Sequence, residues 1–299
     1  MDVSVVIPTL NDCEELCGCL DALATETPEE LVVVNGPSTD GTSGMVRDRD
    51  DVDVLVETDD RNVNVARNAG IDRARGDAVA FVNPTMTVES GWLDALVEAL
   101  ADAVAVTGPT HEELRAGVAT DTVEDRTIRG RSVTYFNGGN AAFTHGVLEQ
   151  LDGFDEYLDV GGARDAAHRL AGLGHGVAWA AGMCVSREAA TDGGRTERDW
   201  RERYRSLSYR LAKNYGIHPT VPVRTVRHAL SDAGTALRDV ASGEAKPTTW
   251  FGNGRDVVVG SVRGTADGLR ARYADRSPRR NPNGWSSRAD RAVAVYDRR

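Results

Sequence analysis

The first hundred residues alternate in hydrophobic period, and this alternation restricts the fold more than any other feature. Val3–Ile7 is an apolar strand closed by Pro8, and Glu14–Ala24 has helical spacing. Leu31–Val34 and Val52–Glu57 read as strands, Val63–Ala74 as a helix and Ala78–Val82 as a strand. Trp92–Leu100 is an amphipathic helix, followed by a strand over Ala103–Thr107. Short β-rich runs alternating with helices of about 10–15 residues imply an α/β fold, a parallel sheet with helices on both faces. Ligands of such sheets sit beyond the carboxyl ends of the strands. Pro8-Thr9, Asn35-Gly36-Pro37 and Asn83-Pro84-Thr85 are therefore the positions to inspect.

The pattern lapses from Thr110 to Ser132 and returns with a helix from about Ala163 to Leu173. Arg198–Tyr215 is a helical stretch of Arg, Tyr and Leu. Val226, Leu230, Ala233, Leu237 and Val240 recur at helical spacing, as do Val258, Val262, Leu269 and Tyr273 with Arg263, Arg270 and Arg272 around them. Arg276–Arg288 is rich in Pro, Asn, Ser and Arg, the composition of a poorly ordered segment. These shifts divide the chain into a sheet domain over 1–215, an amphipathic helical region over 216–275 and a polar Arg-rich tail over 276–299.

No apolar run approaches the ~20 residues of a membrane span, and the chain enters a strand at Val3, so a cytoplasmic protein is expected. Only Lys213 and Lys246 are lysines, leaving 33 arginines among 35 basic residues, and the acids are 29 Asp and 17 Glu. Few Lys and many Asp suit hydration in concentrated salt; a high-GC genome gives the same Arg bias, and the two readings are compatible. Residues 1–194 carry a net charge of −22 and residues 195–299 one of +11. An acidic body with a basic tail asks for an anionic partner at the tail, and the acidic body argues against nucleic acid. Cys13, Cys17 and Cys19 fall on one helix with no nearby His, which favours packing over a metal site.

A dinucleotide-binding turn needs G-x-G-x-x-G after the first strand, where this chain has Pro8-Thr9-Leu10-Asn11; a Walker loop and a G-x-S-x-G elbow are also absent. The predicted sheet edge is lined instead with Thr, Asn, Asp and Ser, which hydrogen-bond a base and ribose. Arg67 behind it could meet a diphosphate bidentately. On residue chemistry alone, the ligand is of nucleotide type.

Four blocks make the reading specific: VSVVIPTLN over 3–11, LVVVNGPSTDGT over 31–42, NVARNAGI over 64–71, and GDAVAFV over 76–82 followed by Trp92-Leu93. With NGGN over 137–140, GFDE over 153–156, and Asp165 to Leu170, they resemble, in order, the family 2 glycosyltransferases of GT-A fold. The resemblance implies inverting transfer of a sugar from a nucleotide diphosphate donor. It places Pro8 in the donor site, Thr9 and Asn35 at the nucleobase, Asp40 in support of that loop, Arg67 near the diphosphate and Asp77 as a buttress of the donor site. It places Gly138, Gly139 and Asn140 in the loop shaping the donor and acceptor pocket. It puts Asn83 and Thr85 where the family's metal-binding D-x-D stands, with Mg²⁺ or Mn²⁺ as the implied ion. Asp165 is the carboxylate nearest the family's base, which deprotonates the acceptor hydroxyl.

The chain departs from that pattern at three places. Asn35 replaces an acid, Asn83-Pro84-Thr85 has no carboxylate, and the Glu-Asp pair before the acceptor helix reads Ala163-Arg164-Asp165. In direct register from Arg169, Asp165 is a helix-side acid; a short gap makes it the base. Asp77 also reads as a turn cap, the Gly-Gly-Asn loop as a plain tight turn, and a non-catalytic nucleotide-sugar binder or scaffold stays open beside a transferase. Near the C-terminus, arginines beside an apolar helical face suit a membrane interface, while a helical subdomain packed on the sheet fits the pattern equally. The salt-adapted composition and this region resemble haloarchaeal Agl-type members of the family. That likeness implies a UDP-linked hexuronic acid or hexose donor, a dolichol-phosphate-linked glycan of S-layer N-glycosylation as acceptor, and peripheral placement at the inner membrane face. A polysaccharide or small metabolite is the other acceptor class.

Overall fold

In the computed structural model, residues 1–114, 117–121, 124–188, 199–218, 247–275 and 288–299 are described, with Val223, Arg227 and Trp285 between them. They form two compact units. The first comprises 1–126, 132–192 and 281–299, and the second 127–131 and 193–280.

The first unit is built on an eight-stranded sheet. Its centre is β1 (Val3–Thr9), with β2 (Glu30–Asn35) and β3 (Val54–Thr58) on one side and β4 (Ala78–Val82) on the other, all parallel. Beyond β4 the sheet turns mixed: β11 (Asn140–Thr144) runs antiparallel to β4 and to β6 (Ala105–Thr107), and β12 (Ala178–Trp179) closes that edge. The predicted strands are present within two residues of their expected ends.

Strand alternation assigns the two faces. Val3, Val5 and Ile7 of β1 and Val33 of β2 face one core with Leu16, Leu20 and Leu23 of α1 (Cys13–Glu26) and Trp92, Leu96 and Leu100 of α4 (Trp92–Leu100). Val6 and Val34 face the opposite way, against Gly70 of α3 (Val63–Ile71). These core side chains are 0–3% exposed, each contributing about 1.5–3 kcal/mol by burial. The short α2 (Thr42–Arg47) links β2 to β3.

Three readings of the sequence are corrected here. The patternless stretch after Thr110 contains β7 (Thr110–Leu114), β8 (Gly117–Asp121), β9 (Glu124–Ile128) and β10 (Arg131–Tyr135). Sequences such as Thr-His-Glu-Glu-Leu lack a full apolar alternation because these strands lie in small peripheral sheets. In one of them β13 (Val185–Glu188) sits between β7 and β5 (Thr87–Val88). The tail over 276–299 is not wholly a tail: β14 (Ala292–Asp297) pairs antiparallel with β3 and completes the main sheet. Arg291, 1% exposed, donates to Glu156, which also accepts from Arg288. Most of Arg276–Arg288 lies outside the described residues. Finally, the boundary at 215 moves to about 192, because α7 (Trp200–Tyr215) belongs to the second unit.

The first unit also contains α5 (His145–Leu151) and α6 (Gly162–Leu173). In the second unit α7 packs on α8 (Pro247–Asp275). Gly260, Gly264 and Gly268 make this possible: a Cβ there would stand 2.3, 2.1 and 2.4 Å from the carbonyl oxygens of Arg201, Arg205 and Tyr209. Val258, Val262 and Tyr273 of the apolar stripe read from the sequence are 61–66% exposed on the other side of α8. The segment Val226–Val240 lies outside the described residues. Cys19 is buried, with its thiol pushed up to about 12 by burial, which fits a packing residue.

Candidate active site

A cleft of about 240 Å³ opens where the parallel strands end. Four chain segments converge on it: Pro8, Thr9, Leu10 and Asp12 after β1; Gly36 after β2; Asp60 to Val63 and Ala66 after β3; and Asn83, Pro84 and Thr85 after β4. Gly36 N–H donates to the Thr9 carbonyl (2.9 Å), locking the first two turns together. Asp12 Oδ2 accepts from Leu10 N (3.0 Å) and Thr9 Oγ1 (3.2 Å), so the β1–α1 turn is shaped by one carboxylate. Asn62 caps α3 by accepting from Asn64 N (2.8 Å), and Val63 and Ala66 of that helix's first turn line the cleft, so its positive end faces it. Arg61 beside it is exposed.

The wall behind the cleft is an asparagine ladder. Asn62 Nδ2 donates to the carbonyls of Glu156 (2.9 Å) and Leu158 (3.2 Å) and to Asp159 Oδ1 (3.2 Å). Asn64 Nδ2 donates to the carbonyl of Leu158 (2.7 Å), and Asn68 Nδ2 to that of Phe154 (2.9 Å) and to Glu156 Oε1 (2.8 Å). Phe154 N–H returns a bond to Asn68 Oδ1. Two blocks about 90 residues apart in sequence are thus one hydrogen-bonded structure.

Of the predicted donor residues, Pro8, Thr9, Asn83 and Thr85 line the cleft. The others do not. Asn35 is 1% exposed, with its amide spent on Ser43 Oγ (2.8 Å) and Ser38 Oγ (2.6 Å). Asp40 accepts from Cys13 N and from Thr42 N and Oγ1, which braces the loops; the bond from Thr42 holds its carboxyl below the usual range. Asp77 precedes β4 at its opposite end, roughly 20 Å of strand from Asn83, and accepts from Asp2 N; it cannot buttress the cleft. Arg67 is a buried hub. Its two NH groups donate to Asn64 Oδ1 (3.0 Å) and the Gly138 carbonyl (2.9 Å), its guanidinium lies 5.1 Å from the Phe154 ring centroid, and burial pushes it down to about 10. With both NH groups engaged it supports the Gly138 loop rather than clamping a diphosphate.

That loop needs its glycines. A Cβ on Gly139 would stand 2.7 Å from Asn83 Cβ, and one on Gly138 2.9 Å from the Arg67 guanidinium. The Gly139 carbonyl accepts from Asn83 N, so the loop fixes the β4 turn. Asn140 is buried in β11, where it accepts from Trp92 Nε1 (3.0 Å) and donates to the carbonyls of Met183 and Pro109; it is a core residue, not a pocket residue.

Asp165 is corrected as well. It lies in the first turn of α6, 0% exposed, and accepts from Arg169 Nε one helical turn away (2.9 Å). A carboxylate closed off from solvent and held by an arginine is not placed to take a proton from an acceptor. The direct register from Arg169 is the one the structure follows.

Asn83 and Thr85, the positions expected to hold the implied Mg²⁺ or Mn²⁺, do not offer that ion its donor set. Asn83 Oδ1 accepts from both Thr85 N (2.9 Å) and Thr85 Oγ1 (2.8 Å), using the two lone pairs of an amide oxygen. No carboxylate stands at 83–85, so these residues do not fit a resident hard cation.

Asp12, Asp60, Arg61 and Asn62 were missed as site residues. The signal was present: they occupy the turn into α1 and the loop after β3, both at the carboxyl ends of parallel strands.

Residues 4–147 match the profile of Glycosyl transferase family 2. Over 148 residues the chain is 30% identical to Glycosyltransferase AglE of Haloferax volcanii, covering 47% of this chain and 42% of the relative. It is 31% identical over 118 residues to a glucosyl-dolichyl phosphate glucuronosyltransferase of the same organism, covering 36% and 38%. The matched segment thus spans about two fifths of these relatives' lengths. Among solved structures, the mannosyltransferase PcManGT from Pyrobaculum calidifontis, in complex with GDP-Man and Mn²⁺, superposes with a TM-score of 0.56 at 21% identity over 89% of this chain and 87% of that one. TarS 1–349 of S. aureus with UDP-GlcNAc gives 0.58 at 16% identity over 93% of each chain. The fold is that of the GT-A glycosyltransferases. Residues 4–147, just under half of the chain, thus carry the likeness to glycosyl transferase family 2.

Proposed function

We propose that this protein is an inverting glycosyltransferase that uses a nucleotide-sugar donor. The observation that carries the reading is the cleft at the ends of β1–β4, built from the segments the family profile covers. The donor is a UDP-linked hexose or hexuronic acid, supported by the glucuronosyltransferase relative and by the solved UDP-GlcNAc complex. The nucleoside sits at Pro8, Thr9 and Gly36. Arg61 and the first turn of α3 face the diphosphate with positive charge and N–H groups, and they take up charge as it leaves.

The acceptor base is Asp159. Its carboxylate is exposed and accepts from Asn62, itself a cleft residue. It takes the proton of the acceptor hydroxyl while the oxygen attacks C1 from the face opposite the departing diphosphate. Arg61→Ala is expected to lower kcat/KM for the donor about tenfold, an effect of about 1.4 kcal/mol for one charge-assisted contact. Unchanged donor kinetics would remove Arg61 from the site.

The acceptor is a dolichol-phosphate-linked glycan of S-layer protein N-glycosylation, reached from the cytoplasmic membrane face. The relative's name and the surface of α8 support this. Among the described residues no helix is long and apolar enough to span a membrane. On α8, however, exposed Val258, Val262 and Tyr273 line one side, with exposed Arg255, Arg263 and Arg270 beside them. This is the surface of an interfacial helix. Binding to vesicles with anionic phosphate headgroups is expected to fall at least tenfold in Val258→Asp/Val262→Asp; equal binding would disconnect α8 from the membrane.

The deciding assay is nucleotide release from a panel of sugar donors in concentrated KCl, with and without the lipid-linked glycan and divalent ions. Release from one UDP-sugar that requires the lipid supports the full reading, and release without lipid points to a soluble acceptor. Donor binding without release from any acceptor would leave a nucleotide-sugar-binding protein.

A further inference from the structure

The small sheet β5–β13–β7 lies outside the donor cleft and presents three ligating side chains, one within β7 and one at the end of each of the other two strands. Val185 of β13 pairs with Val88 of β5 and Thr110 of β7, and Ser186 pairs with His111. Val88, Val185 and Thr110 are buried. By strand alternation, the flanking positions Glu89, Cys184 and His111 therefore share the opposite face. The backbones are tied there, since Glu89 N–H donates to the Cys184 carbonyl (3.0 Å). His111 Nδ1 stands 2.8 Å from Glu89 Oε1, and one ligand atom from each of the three residues lies within 4.8 Å of the others.

We propose that Glu89, His111 and Cys184 bind one zinc ion, with water in the fourth position. Tetrahedral zinc, with bonds of about 2.0–2.3 Å to N, O and S, sets its ligand atoms about 3.3–3.6 Å apart. His111 Nδ1 and Glu89 Oε1 stand 2.8 Å apart and no pair of ligand atoms is farther apart than 4.8 Å, a span one ion can draw together. The ligand chemistry selects the metal: a thiolate and an imidazole favour zinc over the hard Mg²⁺. The Cys184 thiol now donates to the Ala181 carbonyl (3.0 Å). As its sulfur bonds to zinc, the S–H bond breaks and the proton passes to solvent. The ion cross-links three strands that no disulfide joins, since all four cysteines are free. β5 begins two residues after Thr85, so the clamp steadies the end of a cleft loop.

The test is a Co²⁺ titration of the chelator-treated full chain in a Cys13→Ser/Cys17→Ser background, which removes the other partly exposed thiols outside the cluster. One Co²⁺ per chain is expected, with a thiolate-to-cobalt charge-transfer band that stoichiometric Zn²⁺ displaces. The band should vanish in Cys184→Ser, and affinity should fall at least tenfold in His111→Ala and Glu89→Gln, with circular dichroism unchanged. No band, a band that survives Cys184→Ser, or affinity unmoved by both other variants overturns the proposal. The titration contains no donor nucleotide, so its outcome is independent of the transferase reading.

Discussion

Asp165→Asn is expected to destabilise the sheet unit by about 3–5 kcal/mol, the cost of removing one partner from a buried ion pair. Asp165 and Arg169 are both 0% exposed, and Arg169 also donates to the Leu151 carbonyl, so it is held in place and cannot swing out to water. For a unit of this size such a loss lowers the melting temperature by roughly 10 °C or more. Thermal unfolding should be read with a probe local to the first unit, because two units need not melt as one. Below the melting temperature, the variant should bind donor and turn it over within a few-fold of the parent. A thermally unchanged protein that has lost turnover would reverse the assignment and return Asp165 to the role of base.

Asp159→Asn is expected to have the opposite profile. An asparagine keeps an oxygen that can accept from Asn62 Nδ2, so the link between the α3 cap and the 153–159 segment survives. What disappears is the capacity to take a proton. A kcat lower by about 10²–10⁴-fold, with nucleotide affinity and melting temperature unchanged, is the signature of a general base. A kcat within tenfold of the parent would exclude Asp159, and weakened nucleotide affinity would recast it as a binding residue. The two aspartates form a matched pair of tests, one affecting melting and the other turnover.

What the sequence revealed, and what it concealed, follows from how local each signal was. The strands around β1 were legible because both faces of those strands are buried, so Val5, Val6 and Ile7 all had to be apolar. Thr9 and Asn83 were legible because a parallel sheet binds at its carboxyl ends wherever helices cover both faces. Arg67 and Asn140 were misread for the converse reason. Polar residues in family blocks resemble ligand contacts, yet here they satisfy the carbonyls of Gly138, Met183 and Pro109, partners 30–70 residues away that no local pattern reveals. On α8 the apolar periodicity was real but marked the exposed side; the packing face was written in glycines, which carry no hydrophobic signal at all. β14 was hidden among arginines because an edge strand needs few buried residues and here exposes Val293 and Tyr296.

The attachment of Trp285, Arg288, Arg291 and β14 has a consequence for the order in which the protein is made. Glu156, which receives the Asn68 rung of the asparagine ladder, draws its two cationic partners from Arg288 and Arg291, and Trp285 N–H bonds the Asp152 carbonyl. On the ribosome, the helical unit from 193 onward emerges before these residues do. Until they arrive, β3 is an open edge and the Glu156 carboxylate lacks its arginines. The wall carrying Asp159 is therefore the last part of the cleft to be fixed, assembled by contacts that must close across more than 130 residues of intervening chain. The strands β1–β4 are thus made well before the residues that anchor the Asp159 wall.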